Sequence, residues 1–188
     1  MSRIKWIDKH EIAGKSYVCG FCGTYVGPNQ GYLGEVRGGE NANIYICPNC
    51  QKPTFFHYTE QIPAPDYGNP VSGVPTEVGS LYDEARRCMS VSAYTAAVLL
   101  CRKLLMHIAV EKGAEKGKHF IEYVEYLSNK GYVPPNGKEW VDHIRDKGNE
   151  ANHEIAEVGI EDAKNLISFS EMLLKIIFEL PSRIPRKP

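Results

Sequence analysis

The sequence predicts a small β-rich, cysteine-stapled module followed by an all-α helical bundle. Three observations carry this. Composition changes sharply near residue 80, because residues 1–80 hold 11 of the 17 glycines, 7 of the 12 prolines and four of the six cysteines. Two Cys-x-x-Cys pairs lie within that first part. Beyond it, apolar residues recur at helical spacing among balanced charges, 16 basic and 16 acidic in residues 81–188.

The whole chain of 188 residues has a formal charge of −1, with 43% hydrophobic and 24% charged residues. That is ordinary globular composition, which excludes wholesale disorder and a general basic coat for nucleic acid, though not a local basic patch. Nothing is long and apolar enough to span a bilayer, and Met1–His10 has no apolar core behind its charges, so no membrane contact and a cytoplasmic location are expected.

In the first part, Ser16–Cys19, Gly31–Val36, Ile44–Cys47 and Thr54–Tyr58 read as short strands separated by Gly-Pro-Asn and Gly-Gly turns. So few apolar side chains do not offset the ordering entropy of about 60 residues, so the module needs a staple. Cys19-Gly-Phe-Cys22 and Cys47-Pro-Asn-Cys50 supply it. Each turn points two sulfurs at one spot, and two facing turns make the tetrahedral four-sulfur cage that zinc accepts. A thioredoxin-like redox motif is the rival, but it needs a βαβ unit that the sequence lacks. Cys19, Cys22, Cys47 and Cys50 are therefore expected to hold one structural Zn2+ per chain, with no open position for catalysis at the metal.

From Ile62 to Pro75 the prolines favour an extended, semi-rigid connector. The expected division is a zinc ribbon at 1–60, a Pro-rich linker at 61–79, a helical bundle at 80–180 and a basic tail at 181–188. Roughly five helices are expected in the bundle. Ser80 would cap the first, Leu81–Val91. In the second, Ser92–Lys112, Ala96, Leu99, Leu100, Lys103, Leu104 and His107 follow helical spacing, while Cys101 shares a face with Ala97, Leu104 and Leu105 and reads as a core thiol. The third spans about Phe120–Asn129 and the fourth Lys138–Glu154. The fifth, Glu161–Leu180, would end at Pro181. Its apolar run Leu166, Phe169, Leu173, Ile176, Ile177 and Leu180 is broader than one bundle face requires, and predicts a homodimer or larger symmetric homo-oligomer.

The most informative stretch runs from Trp140 to His153. Arg145, Asn149 and His153 fall at i, i+4 and i+8, on one arc of about 80° of a helix. Trp140, Val141 and Ile144 give the packing edge beside them. Such a stripe suits phosphodiester chemistry: arginine holds the phosphate, histidine moves a proton near neutral pH and the amide orients them. A solvated polar helix face is the competing reading. His107, His119 and His143 lack metal-ligand spacing and read as structural or solvent-exposed.

Ile144-Arg-Asp-Lys-Gly-Asn-Glu-Ala-Asn-His153 resembles the signature of a bacterial HEPN-superfamily domain of unknown function, often found beside restriction and phage-defence genes and commonly preceded by a two-pair zinc ribbon. Tyr82-Asp-Glu-Ala85 and Ala96–Leu105, with Arg102-Lys103, are similar to its first two helices. The resemblance implies a zinc ribbon followed by an all-α HEPN-like helical bundle. It also implies a metal-independent endoribonuclease with RNA as substrate, acting as a toxin or anti-phage defence effector that a phage-derived or other protein trigger could switch on. Dimers would bring two motifs together, with Arg145 on the phosphate, His153 as the catalytic histidine and Asn149 as polar helper. The superfamily pattern has four to six residues between arginine and histidine. Here there are seven, which places their Cα atoms about 12 Å apart by helical rise. The alternative function is a non-catalytic HEPN-like oligomeric scaffold whose ribbon binds a partner protein or nucleic acid.

Overall fold

The structure, a computed structural model, describes residues 4–36, 40–137, 139–142, 144 and 158–184. The chain divides into two compact units, residues 1–66 and 67–188. The first is an antiparallel β unit and the second is helical.

Seven strands form the first unit: β1 (His10–Glu11), β2 (Tyr17–Val18), β3 (Tyr25–Val26), β4 (Gln30–Val36), β5 (Glu40–Ile46), β6 (Pro53–His57) and β7 (Glu60–Ile62). Five make one sheet in the order β1-β4-β5-β6-β7, while β2 and β3 pair separately. Tyr45 lies opposite Thr54 and Asn43 opposite Phe56, so Tyr45 and Phe56 share one face. There Tyr17, Tyr45 and Phe56 pack as rings, with centroids 4.9 Å apart for Tyr17–Phe56 and 5.7 Å for Tyr45–Phe56. Ile12, Val26, Cys19 and Cys47 complete this small core. The sequence patterns found β2, β4, β5 and β6. They did not find β1, β3 and β7, which are two or three residues long and are defined by the strand they pair with.

The helical unit contains α1 (Thr76–Ser90), α2 (Tyr94–Glu111), α3 (Phe120–Asn129), a short helical stretch at 139–142 and α4 (Ile160–Leu174). A π-helical turn, Lys175–Glu179, joins α4 to α5 (Leu180–Arg183). Helix α1 starts after Pro75 rather than at Ser80, which lies inside it. The reason is Val78, buried at 2% exposure, which anchors a turn that the expected cap would have left out. In α2 the buried stripe is Ala97, Cys101, Leu104, Leu105, Ile108 and Ala109. Ala96, Leu99, Lys103 and His107 face solvent instead, so the packing face lies about 100° round from the stripe they suggested. Pro181 does not end the helical run. It sits in the first turn of α5, where its missing N–H leaves no bond unmade. Leu166, Phe169 and Leu173 are buried in the unit's own core, which absorbs half of the apolar run read as an oligomer face.

The stretch before α1 is bound to the helices. Arg86 gives Nε to the Tyr67 carbonyl at 3.0 Å and Nη2 to that of Gly68 at 2.9 Å. Glu171 accepts from Asn69 N at 2.8 Å and Asn69 Nδ2 at 3.0 Å, and pairs with Lys175. Glu179 accepts from Ser72 N at 3.0 Å and pairs with Arg183. Backbone donors of this strap thus find acceptors on α4 and the π turn.

Candidate functional site

Two hairpins of the β unit carry the cysteines in matching local geometry. Cys19 follows β2, and Cys47 follows β5. Cys19 N donates to the Thr24 carbonyl at 3.0 Å, and Gly23 N returns to the Cys19 carbonyl at 2.8 Å. In the second turn Cys47 N donates to the Lys52 carbonyl at 3.0 Å, and Gln51 N to the Cys47 carbonyl at 2.9 Å. The residue four after each first cysteine takes the left-handed conformation, Gly23 at φ 67° and Gln51 at φ 60°. Glycine adopts this freely, whereas glutamine does so at a cost of about 1 kcal/mol, which the turn must offset. Gly20 has a different reason: a Cβ there would stand 2.4 Å from the carbonyl oxygens of Pro63 and Ala64.

These turns bring the four sulfurs together, all within 4.8 Å of one another. Cys19 and Cys50 Sγ atoms are 3.8 Å apart, and so are those of Cys22 and Cys47. A tetrahedron with metal–sulfur bonds of about 2.3 Å has edges of about 3.8 Å. A disulfide would need about 2.05 Å, so the spacing is that of a metal cage rather than of paired bridges. The four cysteines form a site that can hold a metal ion, and the soft sulfur set fits zinc. With four protein donors, no position is left for a reacting water.

The surroundings favour that cage. Cys19 and Cys47 are buried, and Cys22 and Cys50 half-buried. Asn49 Nδ2 lies 3.5 Å from Cys22 Sγ and donates to Thr24 Oγ1 at 3.0 Å. Burial acts to raise Cys22, but hydrogen bonds from the Thr24 backbone and hydroxyl and from Asn49 outweigh it and bring the thiol down to about 6. Burial pushes Cys50 up to about 12, with the neighbouring cysteines adding to the rise, and it raises Cys19 as well. Crowded thiols of this kind resist ionising together, and a divalent cation removes the conflict by binding them as thiolates. The sequence pattern identified the four ligands but not Asn49 and Thr24, whose role depends on the approach of the two turns.

Cys88 and Cys101 stand apart from this cluster. Cys101 is fully buried, as expected, and burial pushes its thiol up to about 12. The helical motif is placed only at its start. Val141 and Ile144 are buried in the helical core, and Trp140 stacks on Phe169 with centroids 6.1 Å apart at 17°. That much of the expected packing edge is present. Arg145, Asn149 and His153 lie outside the described residues, as do His143 and the last four residues of the tail. His107 and His119 are exposed, and the His119 side chain caps α3. Beside the start of the motif, a cavity of about 750 Å³ lies between the end of α3 and Val141, with Glu125 and Asp142 among its lining residues.

Residues 83–187 match the model of a family described as Domain of unknown function (DUF4145). The chain belongs to the DUF4145 family. The matched segment covers more than half of it and includes the whole Arg145–His153 stripe. No curated protein and no solved structure matches the chain. Among the described residues of this DUF4145 protein, no helix is long and apolar enough to cross a membrane.

Proposed function

We propose that this DUF4145 protein is a zinc-stapled, HEPN-like endoribonuclease that acts as a toxin or anti-phage defence effector. One Zn2+ per chain holds the β unit together and takes no part in the chemistry. The observation that carries the reading is the Arg145, Asn149, His153 repeat at four-residue spacing, which lies inside the family-matched segment. In this reading the ribose 2′ hydroxyl attacks the adjacent phosphorus and the P–O5′ bond breaks, leaving a cyclic phosphate and a 5′ hydroxyl. His153 assists transfer of the 2′ proton and its return to the 5′ oxygen, Arg145 stabilises the charge that builds on the phosphate, and Asn149 orients them. Two copies would assemble a composite site. The zinc assignment is supported by the 3.8 Å sulfur spacing and the all-thiolate donor set. The test is incubation of the purified protein with total RNA in the presence of a chelator. Fragments ending in 2′,3′-cyclic phosphate are expected, and their loss in the His153→Ala variant ties them to the site.

A second reading has its own support. The chain is close to neutral, four thiolates on a divalent ion add two negative charges, and the cavity beside the motif carries Glu125 and Asp142. A ribonuclease normally gathers cations along its RNA path. A non-catalytic HEPN-like oligomeric scaffold, with the ribbon as its partner-binding module, fits those charges. Toxicity in cells that survives loss of His153 would favour this scaffold.

A further inference from the structure

Two arginines of the helical unit present a contrast. Arg86 is buried and all three of its guanidinium nitrogens have acceptors: the carbonyls of Tyr67 and Gly68, and Asp83 Oδ1 at 3.2 Å. Arg102, on α2, is half-buried, and its guanidinium carbon lies 4.6 Å from the centre of the Phe120 ring. Yet no hydrogen bond or ion pair to Arg102 is formed among the described residues. A guanidinium has five N–H donors and cannot shed its charge, so one that is held in place and partly dried with no acceptor among the described residues is a candidate anion-binding group. Partial burial lowers its pKa, the direction expected of a cation that has lost water without gaining a counter-charge.

The surroundings reinforce this. Phe120 is the first residue of α3 and only 8% exposed, so the ring is a fixed platform at the positive end of a ten-residue helix. Lys103 is the next residue on α2 and is exposed. The carboxylates that flank Phe120 in sequence have partners of their own: Glu122 Oε2 accepts the His119 N–H at 2.8 Å, and Glu115 pairs with Lys118 at 3.0 Å. Leu99, one turn before Lys103, is 59% exposed, which leaves the approach along α2 open.

We propose that Arg102, stacked on Phe120 and assisted by Lys103, is a phosphate contact for the backbone of single-stranded RNA. This inference rests on RNA being the substrate, and assigns a docking residue away from Arg145 and His153. Contact with the ring restrains the guanidinium, so its fork meets phosphate oxygens with less further ordering.

The test uses the full chain, a fluorescein-labelled single-stranded oligoribonucleotide and fluorescence polarisation across a salt series. Arg102→Met keeps an aliphatic stem on Phe120 and removes the charge. It should weaken binding roughly tenfold, as loss of one charge-assisted contact does. It should also lower the slope of log affinity against log salt by about 0.7, the value for one lost phosphate contact on a single strand. Arg102→Lys should keep the slope and lose part of the affinity, which decides the matter if the methionine variant folds poorly. Unchanged affinity and slope in both variants would mean that Arg102 only covers the ring, and would overturn the proposal. Displacement of the RNA by inorganic phosphate far more effectively than by chloride of equal ionic strength would make this a free-ion site, and would overturn it too. Absence of RNA binding by the wild type would do the same and leave a partner's carboxylate as the ligand. The two readings fail separately. Cleavage lost in His153→Ala with normal binding in Arg102→Met removes only this contact, while Arg102-dependent binding without cleavage removes only the nuclease.

Discussion

Changing Cys19 to Ser should unfold the β unit and release its zinc while leaving the helical unit standing. Cys19 is fully buried beside Tyr17, Tyr45 and Phe56, so the change acts on both the cage and the core. The core without its cysteines has five buried side chains, Ile12, Tyr17, Val26, Tyr45 and Phe56. At about 1.5–3 kcal/mol each, their burial supplies on the order of 10 kcal/mol. Metal binding to a structural four-ligand site contributes roughly 10–16 kcal/mol at neutral pH, as much again. A serine oxygen at one corner weakens that affinity by several orders of magnitude, and the remaining burial does not order the unit alone. Acid should mimic the substitution. Bound thiolates carry no protons and released cysteines take up four, so falling pH drives the metal off and rising pH restores it. The assay pairs elemental analysis with amide hydrogen exchange. Wild type should contain one zinc per chain and protect β4 and β5; Cys19→Ser should contain none and lose that protection, with α2 and α4 still protected. A Cys19→Ser protein that keeps one equivalent of metal, or keeps β4 and β5 protected without it, would refute the reasoning.

Other perturbations test separate parts of the molecule. Gly20→Ala places a methyl 2.4 Å from two carbonyl oxygens and should cost about 1–3 kcal/mol of stability in the β unit, read as easier zinc removal by a chelator. Glu171→Gln breaks the Lys175 pair and weakens the hold on Asn69, so thermal unfolding of the helical unit should shift by about 1–3 kcal/mol. Burial acts to raise the Glu171 carboxyl, but Lys175 and Asn69 hold it below the usual carboxylate range. Its stabilising effect is therefore present above that range and lost as pH falls through the lowered value, and a pH series of melting temperatures should show this loss in wild type and not in Glu171→Gln. For the proposed nuclease, Arg145→Ala and His153→Ala should each abolish cleavage without changing melting temperature, and the double variant should cost little more than either, because residues acting as one unit are non-additive. Cleavage that depends on added metal would contradict that assignment.

How much of this was legible in the sequence differs between the units for physical reasons. A Cys-x-x-Cys turn encodes its own geometry, so the four ligands could be read from spacing, and the 3.8 Å sulfur separations agree with that reading. The hydrogen bond from Asn49 could not be read, because it depends on how the two turns face each other. In α2 the helix was legible and so was the core face around Cys101, but the spacing offered a second stripe beside it. Ala96, Leu99 and Leu100 form one plausible stripe and Ala97, Cys101 and Leu104 another, and only the helices packed on each side decide between them. Pro181 misled for a related reason: the π turn before it resets the register, so the proline falls where a first turn tolerates it. Prolines before α1 marked a stretch without helix or strand but not its attachment, since Glu171 and Glu179, its acceptors, lie about a hundred residues later.

Arg102 shows how the two kinds of reading combine. In the sequence, Arg102-Lys103 belongs to the segment that carries the family resemblance, but among 22 basic residues no spacing or motif assigns the pair a role. Structure separates it from Arg86, which has the same side chain one helix earlier, through a difference in partners rather than in exposure alone. A buried arginine with three acceptors is part of the scaffold that holds the strap to α1. A half-buried arginine held over a ring and given none among the described residues is the group on which the proposed phosphate contact rests. For a chain of near-zero net charge this matters to the proposal, because any attraction to RNA would come not from the overall field but from individual cations placed to meet single phosphates. The salt slope of wild type is therefore expected to be shallow, reporting few contacts, and the fraction of it lost with Arg102 is correspondingly large.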